Sequence, residues 1–539
     1  MRNEGIGAWT ARRARRTPHR TAVIHEGTRI SYAGLHRHTT RIARVLRDHG
    51  VRAGDRVGFL GPNRPGFLAS LFAAGLLGAV FVPFNVRLTP PELAWQLADC
   101  GARVLLRSGR CSGGADIAGV VTIGVDDVTG PYGEAPDGEE PGGEAPGERG
   151  PCHRPEPPLG AAVAADDPCL ILYTSGTTGR PKGAVLTHAN LTWNAVHVLI
   201  DEDLTADEVA LVAAPLYHAA ALGMQALPVL LKGGTCVLME SFDAGAALDA
   251  VERHRVTSLF GVPTMYRRIA AHPRWPHADL SSLRTLVCGG APVPEALPAA
   301  YERRGLTLRQ GYGLTEAAPG VLLTHHEHTG GDPGHTGSGP GHTGVPHFFT
   351  DVRVTRPAHA APSGPAPLPP GAAGPGTEAD AAPGETGELL VRGPNVMAGY
   401  WNRPAESAAA LADGWLRTGD AARVGADGGL TVVDRIKEVI ISGGENVYPA
   451  EVEHALLAHP GVADCAVIPV PDAEWGEVGR AVLVPAPGVT LDPDEVLASL
   501  TGRLATYKIP RTAVLAPDLP RTGTGKAARH RIAERYGSA

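Results

Sequence analysis

Hydrophobic residues fall in short runs separated by loops of glycine, proline, serine and threonine. The runs lie at 168–175 (PCLILYTS), 211–218 (LVAAPLYH), 235–239 (TCVLM), 256–263 (VTSLFGVP), 283–290 (LRTLVCGG) and 306–313 (LTLRQGYG), with helical stretches between them. This alternation predicts an α/β architecture. Most of these strands end in small or hydroxyl residues, where α/β sheets form ligand sites. The stretch 67–84 carries no charge and approaches bilayer-spanning length. Gly75, Gly78 and an alanine-rich front instead predict a buried helix and then a VFVPF strand terminated by Pro83. Beyond Gly387, strand-like order returns in GELLVRG and the chain turns through GYWN and WLRTGD. The remainder has its own strand and helix pattern, large enough for a small domain. No fixed-period repeat is present.

At 539 residues the chain exceeds one compact core, so two domains are expected, at 1–434 and 435–539. Hydrophobic residues at 43% and charged residues at 19% fit a globular chain rather than a disordered or multi-span one. A net charge of -7 gives no reason to expect nucleic acid as a partner. Seven scattered cysteines without a C-x-x-C argue against a disulfide framework, and six arginines in the first twenty residues argue against a secretory signal. A cytoplasmic protein is expected. Segments 130–160 and 357–384, dominated by proline, glycine and alanine or glutamate, read as surface insertions.

The strongest chemical signal is YTSGTTGRPKG at 173–183. Thr174, Ser175, Thr177 and Thr178 alternate with Gly176 and Gly179, so hydroxyls and backbone amides can turn together toward an anion, with Lys182 as a mobile counter-charge. Such a loop suits a polyphosphate, yet it does not satisfy G-x-x-x-x-G-K-[ST]. Lysine usage adds an independent argument. Only five of the 49 basic residues are lysines, namely Lys182, Lys232, Lys437, Lys508 and Lys526. In a chain that otherwise uses arginine, lysine persists where a compact, flexible charge is needed, which singles out Lys182, Lys437 and Lys526.

The loop resembles the signature of the superfamily that contains acyl-CoA synthetases, firefly-type luciferases and peptide-synthetase adenylation domains. The family's other motifs follow in order: PLYH (215–218), CGGAP (288–292), GYGLTE (311–316), GELLVRGPNVMAGYW (387–401), WLRTGD (415–420), DRIKEVIISGGENVYPAEVE (434–453) and LPRTGTGKAAR (519–529). The N-terminal part is similar to fatty acyl-CoA synthetases. The resemblance implies a large multi-subdomain N-terminal adenylate-forming domain with a small mobile α+β C-terminal domain. It further implies a ligase that uses ATP, Mg2+ and coenzyme A to turn a carboxylic acid into an acyl-AMP and then a thioester, with a fatty or bulky hydrophobic acid expected.

The same resemblance assigns roles. Lys526 reaches the carboxylate and α-phosphate, and the 173–183 loop holds the leaving pyrophosphate. Glu316 contacts the metal, with Thr174 or Thr315 orienting phosphate oxygens. Tyr312, between Gly311 and Gly313, stacks on adenine, and Gly289, Gly290, Ala291 and Pro292 pack on its other side. Asp420 accepts the ribose hydroxyls and Arg435 makes a second ribose or phosphate contact. His218 lines the acyl-pocket entrance. Lys437 is the hinge about which the small domain swings, and Gly443, Gly444 and Glu445 then form the thiol channel.

The match is poorest over 316–387. His325, His326, His328, His335, His342 and His347 punctuate a Gly/Thr-rich stretch, and their irregular spacing reads as solvated loop residues rather than a metal site. Two other readings stand beside the CoA ligase: an acyl-AMP ligase loading a separate acyl carrier protein, and a non-catalytic nucleotide- or metal-binding protein on the same fold.

Overall fold

The computed structural model describes residues 3–109, 117, 119–130, 159–174, 181–291, 293–294, 296–324, 342–356, 379–425, 428–442, 445–472, 475–504, 506–522 and 527–537. The bulk of both low-complexity segments (131–158 and 357–378) lies outside them, as do Ser175, Gly176, Thr177, Thr178, Gly179, Pro292, Gly443, Gly444 and Lys526.

A nine-stranded sheet has at its centre six parallel strands, in the spatial order Leu308–Gly313, Thr285–Gly289, Ser258–Gly261, Val209–Val212, Thr235–Leu238 and Thr21–His25. Antiparallel strands close both edges. The expected strands are therefore present, except that 211–218 splits: the strand stops at Val212 and PLYH is a loop beyond it. A seven-stranded sheet places Arg56–Leu60 between Val80–Phe84 and Val104–Arg107, and continues through Pro168–Thr174 and Lys182–Thr187 to Gly399–Tyr400.

The charge-free stretch is the helix Pro65–Leu77 followed by the strand Val80–Phe84. Proline opens that helix and Gly78 closes it in the left-handed region at φ 70°. Being apolar all round, the helix is buried along almost its whole length. Pro83 does not terminate the strand, which runs on to Phe84. Pairing with Arg56–Leu60 extends to Phe84, whereas pairing with Pro168–Thr174 is confined to Phe81↔Leu170, so the missing amide of Pro83 interrupts no ladder on that side.

A third sheet joins Asp351–Thr355, Thr386–Arg392, Trp415–Val424 and Leu430–Arg435. WLRTGD is thus not a turn but the first part of a long strand, held by ladders on both sides. The last residues of the second low-complexity segment also belong here. Ala381 N–H donates to the Val354 carbonyl at 2.8 Å, and Asp380 pairs with Arg353.

From Ile440 onward the chain folds around Gly476–Pro485 and its neighbours Val462–Asp472 and Thr512–Leu515, with helices Pro449–Leu457 and Arg529–Tyr536. Two buried clusters, centred on Leu456 and Leu483 and on Ile468 and Ile532, are drawn only from this part of the chain. The molecule is therefore a large N-terminal α/β domain joined to a small α+β one. Among the described residues, no helix is long and apolar enough to cross a membrane.

Candidate active site

The parallel strands of the nine-stranded sheet deliver the candidate residues at their C-terminal ends, as open α/β sheets do. Thr285–Gly289 runs into Gly290, which takes φ 80°, a conformation open to glycine. A Cβ at Gly289 would fall 2.7 Å from the Gly311 carbonyl oxygen, and one at Gly313 only 2.0 Å from that of Pro319. These glycines let backbone approach backbone.

Tyr312 is half-buried near the end of Leu308–Gly313, and its hydroxyl donates to Oδ2 of the buried Asp420 at 2.5 Å. Arg435 Nε lies 3.1 Å from Asp420 Oδ1. Register explains the meeting, because Asp420 and Arg435 are direct partners across adjacent antiparallel strands. Burial, with the Asp420 carboxylate beside it, pushes the Tyr312 phenol well above the ordinary tyrosine range. It remains a donor.

Glu316 sits on the short turn Thr315–Ala317. Its Oε1 accepts from the Tyr400 hydroxyl at 2.9 Å, and Lys182 Nζ stands 5.4 Å from the centroid of the same ring. Tyr400 pairs with Ala184, which makes Lys182 its diagonal neighbour on one sheet face. Thr174 is the cross-strand partner of Lys182 and donates to its carbonyl at 3.4 Å. Thr174 and Lys182 thus frame the segment that carries the Ser/Thr/Gly loop.

Several supporting residues escape a reading of the sequence alone. Tyr173 donates to Asp99 at 2.8 Å, and Arg403 pairs with that carboxylate at 2.6 Å. Asn395, fully buried, donates to the carbonyls of Ala317 and Gly320 at 2.8 Å each. Asn194 accepts from Gly320 N–H at 2.9 Å. Two amides therefore clamp the turn that follows Glu316. Two of them stand in segments that the sequence singled out, Tyr173 at the head of YTSGTTGRPKG and Asn395 in GELLVRGPNVMAGYW, but nothing there announced these contacts.

His218 is half-buried immediately before the helix Ala219–Ala221, its ring edge-on to Tyr217 at 4.7 Å. A π-helical turn, Leu222–Ala226, follows. A Cβ on Gly223 would come within 2.4 Å of the Ala318 carbonyl oxygen, so this helix lies directly against the Glu316 turn.

His347 departs from the solvated-loop reading. It is buried, hydrogen-bonds Asp201 through Nδ1 and stacks on His197 with ring centroids 5.7 Å apart. Its position in a strand-flanking turn, rather than its glycine-rich company, decides its burial. His325, His326, His328 and His335 lie outside the described residues.

At the junction of the two domains, Asp434 accepts from Arg435 N–H at 2.7 Å and from Ala450 N–H at 2.6 Å. Arg529 reaches Asp434 at 3.5 Å, Glu453 at 2.7 Å and Glu438. Lys437 lies in the short turn Ile436–Glu438, and Glu445 pairs with Ser442 across the residues that hold Gly443 and Gly444. Lys508 is occupied by Glu451 at 2.7 Å, a structural ion pair. Arg521 and Ala527 form an isolated antiparallel bridge, while Lys526 lies outside the described residues.

Two family models match this chain: AMP-binding enzyme over residues 10–401 and AMP-binding enzyme C-terminal domain over 451–526. A feruloyl-CoA synthase of an Amycolatopsis species is 53% identical over 100% of both chains. An indoleacetate–CoA ligase of Aromatoleum aromaticum is 40% identical over 97% of this chain and 96% of its own. The o-succinylbenzoate CoA synthetase of Bacillus subtilis, solved with the acyl-adenylate intermediate OSB-AMP, superposes with a TM-score of 0.81 at 31% identity, covering 97% of each chain. The chain belongs to the AMP-binding enzyme family. It is an AMP-forming acid–thiol ligase working with ATP, Mg2+ and coenzyme A, which removes the non-catalytic reading.

Proposed function

We propose that this ligase activates an aromatic carboxylic acid, of the arylpropenoate or arylacetate kind, and transfers the acyl group to coenzyme A. The relatives at 53% and 40% identity are named for ferulate and indoleacetate, which favours an aromatic acid over the fatty acid expected from the N-terminal motifs. They lend no support to a carrier-protein acceptor. The alanines beside His218, Ala219 to Ala221, carry little bulk, which suits a planar ring with His218 at the entrance. The five described cysteines are buried and unpaired, which fits a reducing cytoplasm.

The observation that supports nucleotide activation is a pair of contact groups: Tyr312 with Asp420 and Arg435, and Glu316 with Lys182 and Thr174, the latter joined through Tyr400 and the Thr174–Lys182 pairing. The first group suits a nucleoside, with the Tyr312 ring against adenine and Gly290, Ala291 and Pro292 opposite. Asp420 and Arg435 take the ribose. The second group suits the phosphates, held by Ser175, Gly176, Thr177, Thr178 and Gly179 together with Lys182 and Thr315. Glu316 and Thr174 offer hard oxygen donors that fit Mg2+, which when bound neutralises triphosphate charge.

In the first half-reaction a carboxylate oxygen attacks the α-phosphorus, and the bond to the bridging oxygen of pyrophosphate breaks. Lys526 offsets the charge gathering there. In the second, the thiol sulfur attacks the acyl carbon, its proton is lost and AMP departs. We assign 1–434 and 435–539 to the two moving bodies, with Lys437 as hinge and Gly443, Gly444 and Glu445 lining the thiol path. Pyrophosphate release measured with ferulate, indoleacetate, octanoate and palmitate tests the proposal, with hydroxylamine trapping in the presence and absence of CoA. Aryl acids should exceed palmitate by at least about tenfold in kcat/KM, a difference of about 1.4 kcal/mol; palmitate matching them would overturn it.

A further inference from the structure

The segment 397–401 is stitched on both sides. Met397 N–H donates to the Glu316 carbonyl at 2.8 Å, while Ala398 and Trp401 N–H groups donate to Val185 and Gly183 at 2.9 and 2.8 Å. Tyr400 lies in the middle of this bridge, and its own N–H is held by Ser407 Oγ at 2.8 Å. Its backbone is therefore fixed relative to both the Glu316 turn and the Lys182 strand.

We propose that Tyr400 is a positioning residue for adenylation: its hydroxyl orients the Glu316 carboxylate while its ring holds Lys182, so one side chain sets the metal-binding group and the phosphate-binding cation in register. This rests on the assignment of Glu316 to Mg2+ and Lys182 to phosphate made above. The phenol bonds Oε1 at 2.9 Å, and the carboxylate has a second oxygen, Oε2, to offer a ligand. The ring presents its negative face to Nζ at 5.4 Å, a cation–π distance.

The two functions are separable. Tyr400→Phe keeps the ring and loses the donor, whereas Tyr400→Leu loses both. Calorimetric titration of the full-length protein with ATP, with Mg2+ and then with EDTA, reads them apart from turnover. Tyr400→Phe should weaken Mg2+–ATP about tenfold, the effect of one hydrogen bond to a charged group, and leave metal-free ATP within about twofold. Tyr400→Leu should weaken metal-free ATP as well. Glu316→Gln is the reference: if it keeps the full advantage of Mg2+, the metal assignment itself fails. If it abolishes that advantage while Tyr400→Phe retains it in full, the positioning role is overturned. Melting temperatures of the three variants separate a folding defect from a binding one.

Discussion

The Tyr312 hydroxyl lies 2.5 Å from Oδ2 of Asp420, so one tyrosine can present its ring to a base and steer the carboxylate proposed above for the sugar. Tyr312→Phe keeps the ring and loses about 1 kcal/mol, a roughly fivefold rise in KM for ATP. Asp420→Ala removes the acceptor outright and should cost about a hundredfold in kcat/KM for ATP, near 3 kcal/mol. Steady-state pyrophosphate release reads both, and wild-type ATP dependence in Asp420→Ala would contradict the ribose assignment.

Lys526→Ala should abolish acyl-AMP formation, by at least about a hundredfold given the worth of a single transition-state contact, yet spare thiolation of supplied acyl-AMP. The two half-reactions are assayed separately. Equal loss in both would overturn the assignment of Lys526 to adenylation alone.

Arg529 serves Asp434, Glu438 and Glu453, which brings both sides of the junction to one guanidinium. Arg529→Met leaves the buried Asp434 and the half-buried Glu453 without their guanidinium and should lower stability by about 3 kcal/mol. Scanning calorimetry should show the loss, and an unchanged melting profile would mean that the acids find other partners.

His197 is buried and stacks on both His347 and Phe349, near Asp201. Burial, and then His347, lower its pKa from 6.5 to about 4. Between these values the unfolded chain binds a proton that the folded chain refuses. Stability from this site is therefore complete above pH 6.5 and drains toward pH 4, by about 1.4 kcal/mol per unit. In urea denaturation, the stability lost in His197→Phe should shrink as pH falls through that window. A pH-independent difference would refute the account.

Deleting 357–378 should leave adenylation and folding yield nearly intact. Extending the deletion through Gly384 removes the Ala381–Val354 hydrogen bond and the Asp380–Arg353 pair, and should reduce soluble yield severalfold. Equal yields from the two deletions would show that these contacts are dispensable.

The sheet architecture was legible because parallel strands buried on both faces read as continuous apolar runs, and their ends carry the small residues that a nucleotide site demands. WLRTGD misleads because Thr418 and Gly419 resemble turn chemistry, while the ladders on both sides decide its conformation. The supports of the site stayed hidden for a different reason. Glu316 and Tyr400 are 84 residues apart, Asn194 and Gly320 are 126 apart, and no local pattern encodes such pairings. His347 was misread because composition reports on a segment, whereas burial is decided by what packs over a residue.

The paired amides of Asn194 and Asn395 carry a lesson for anyone wishing to retune which acid is accepted. Both grip main-chain atoms, so neither contributes a selective surface of its own, yet a carboxylate at position 395 would present acceptors to two carbonyls and repel them. Libraries aimed at the neighbouring helix should hold these two positions constant, since variation there degrades the platform before it can broaden choice.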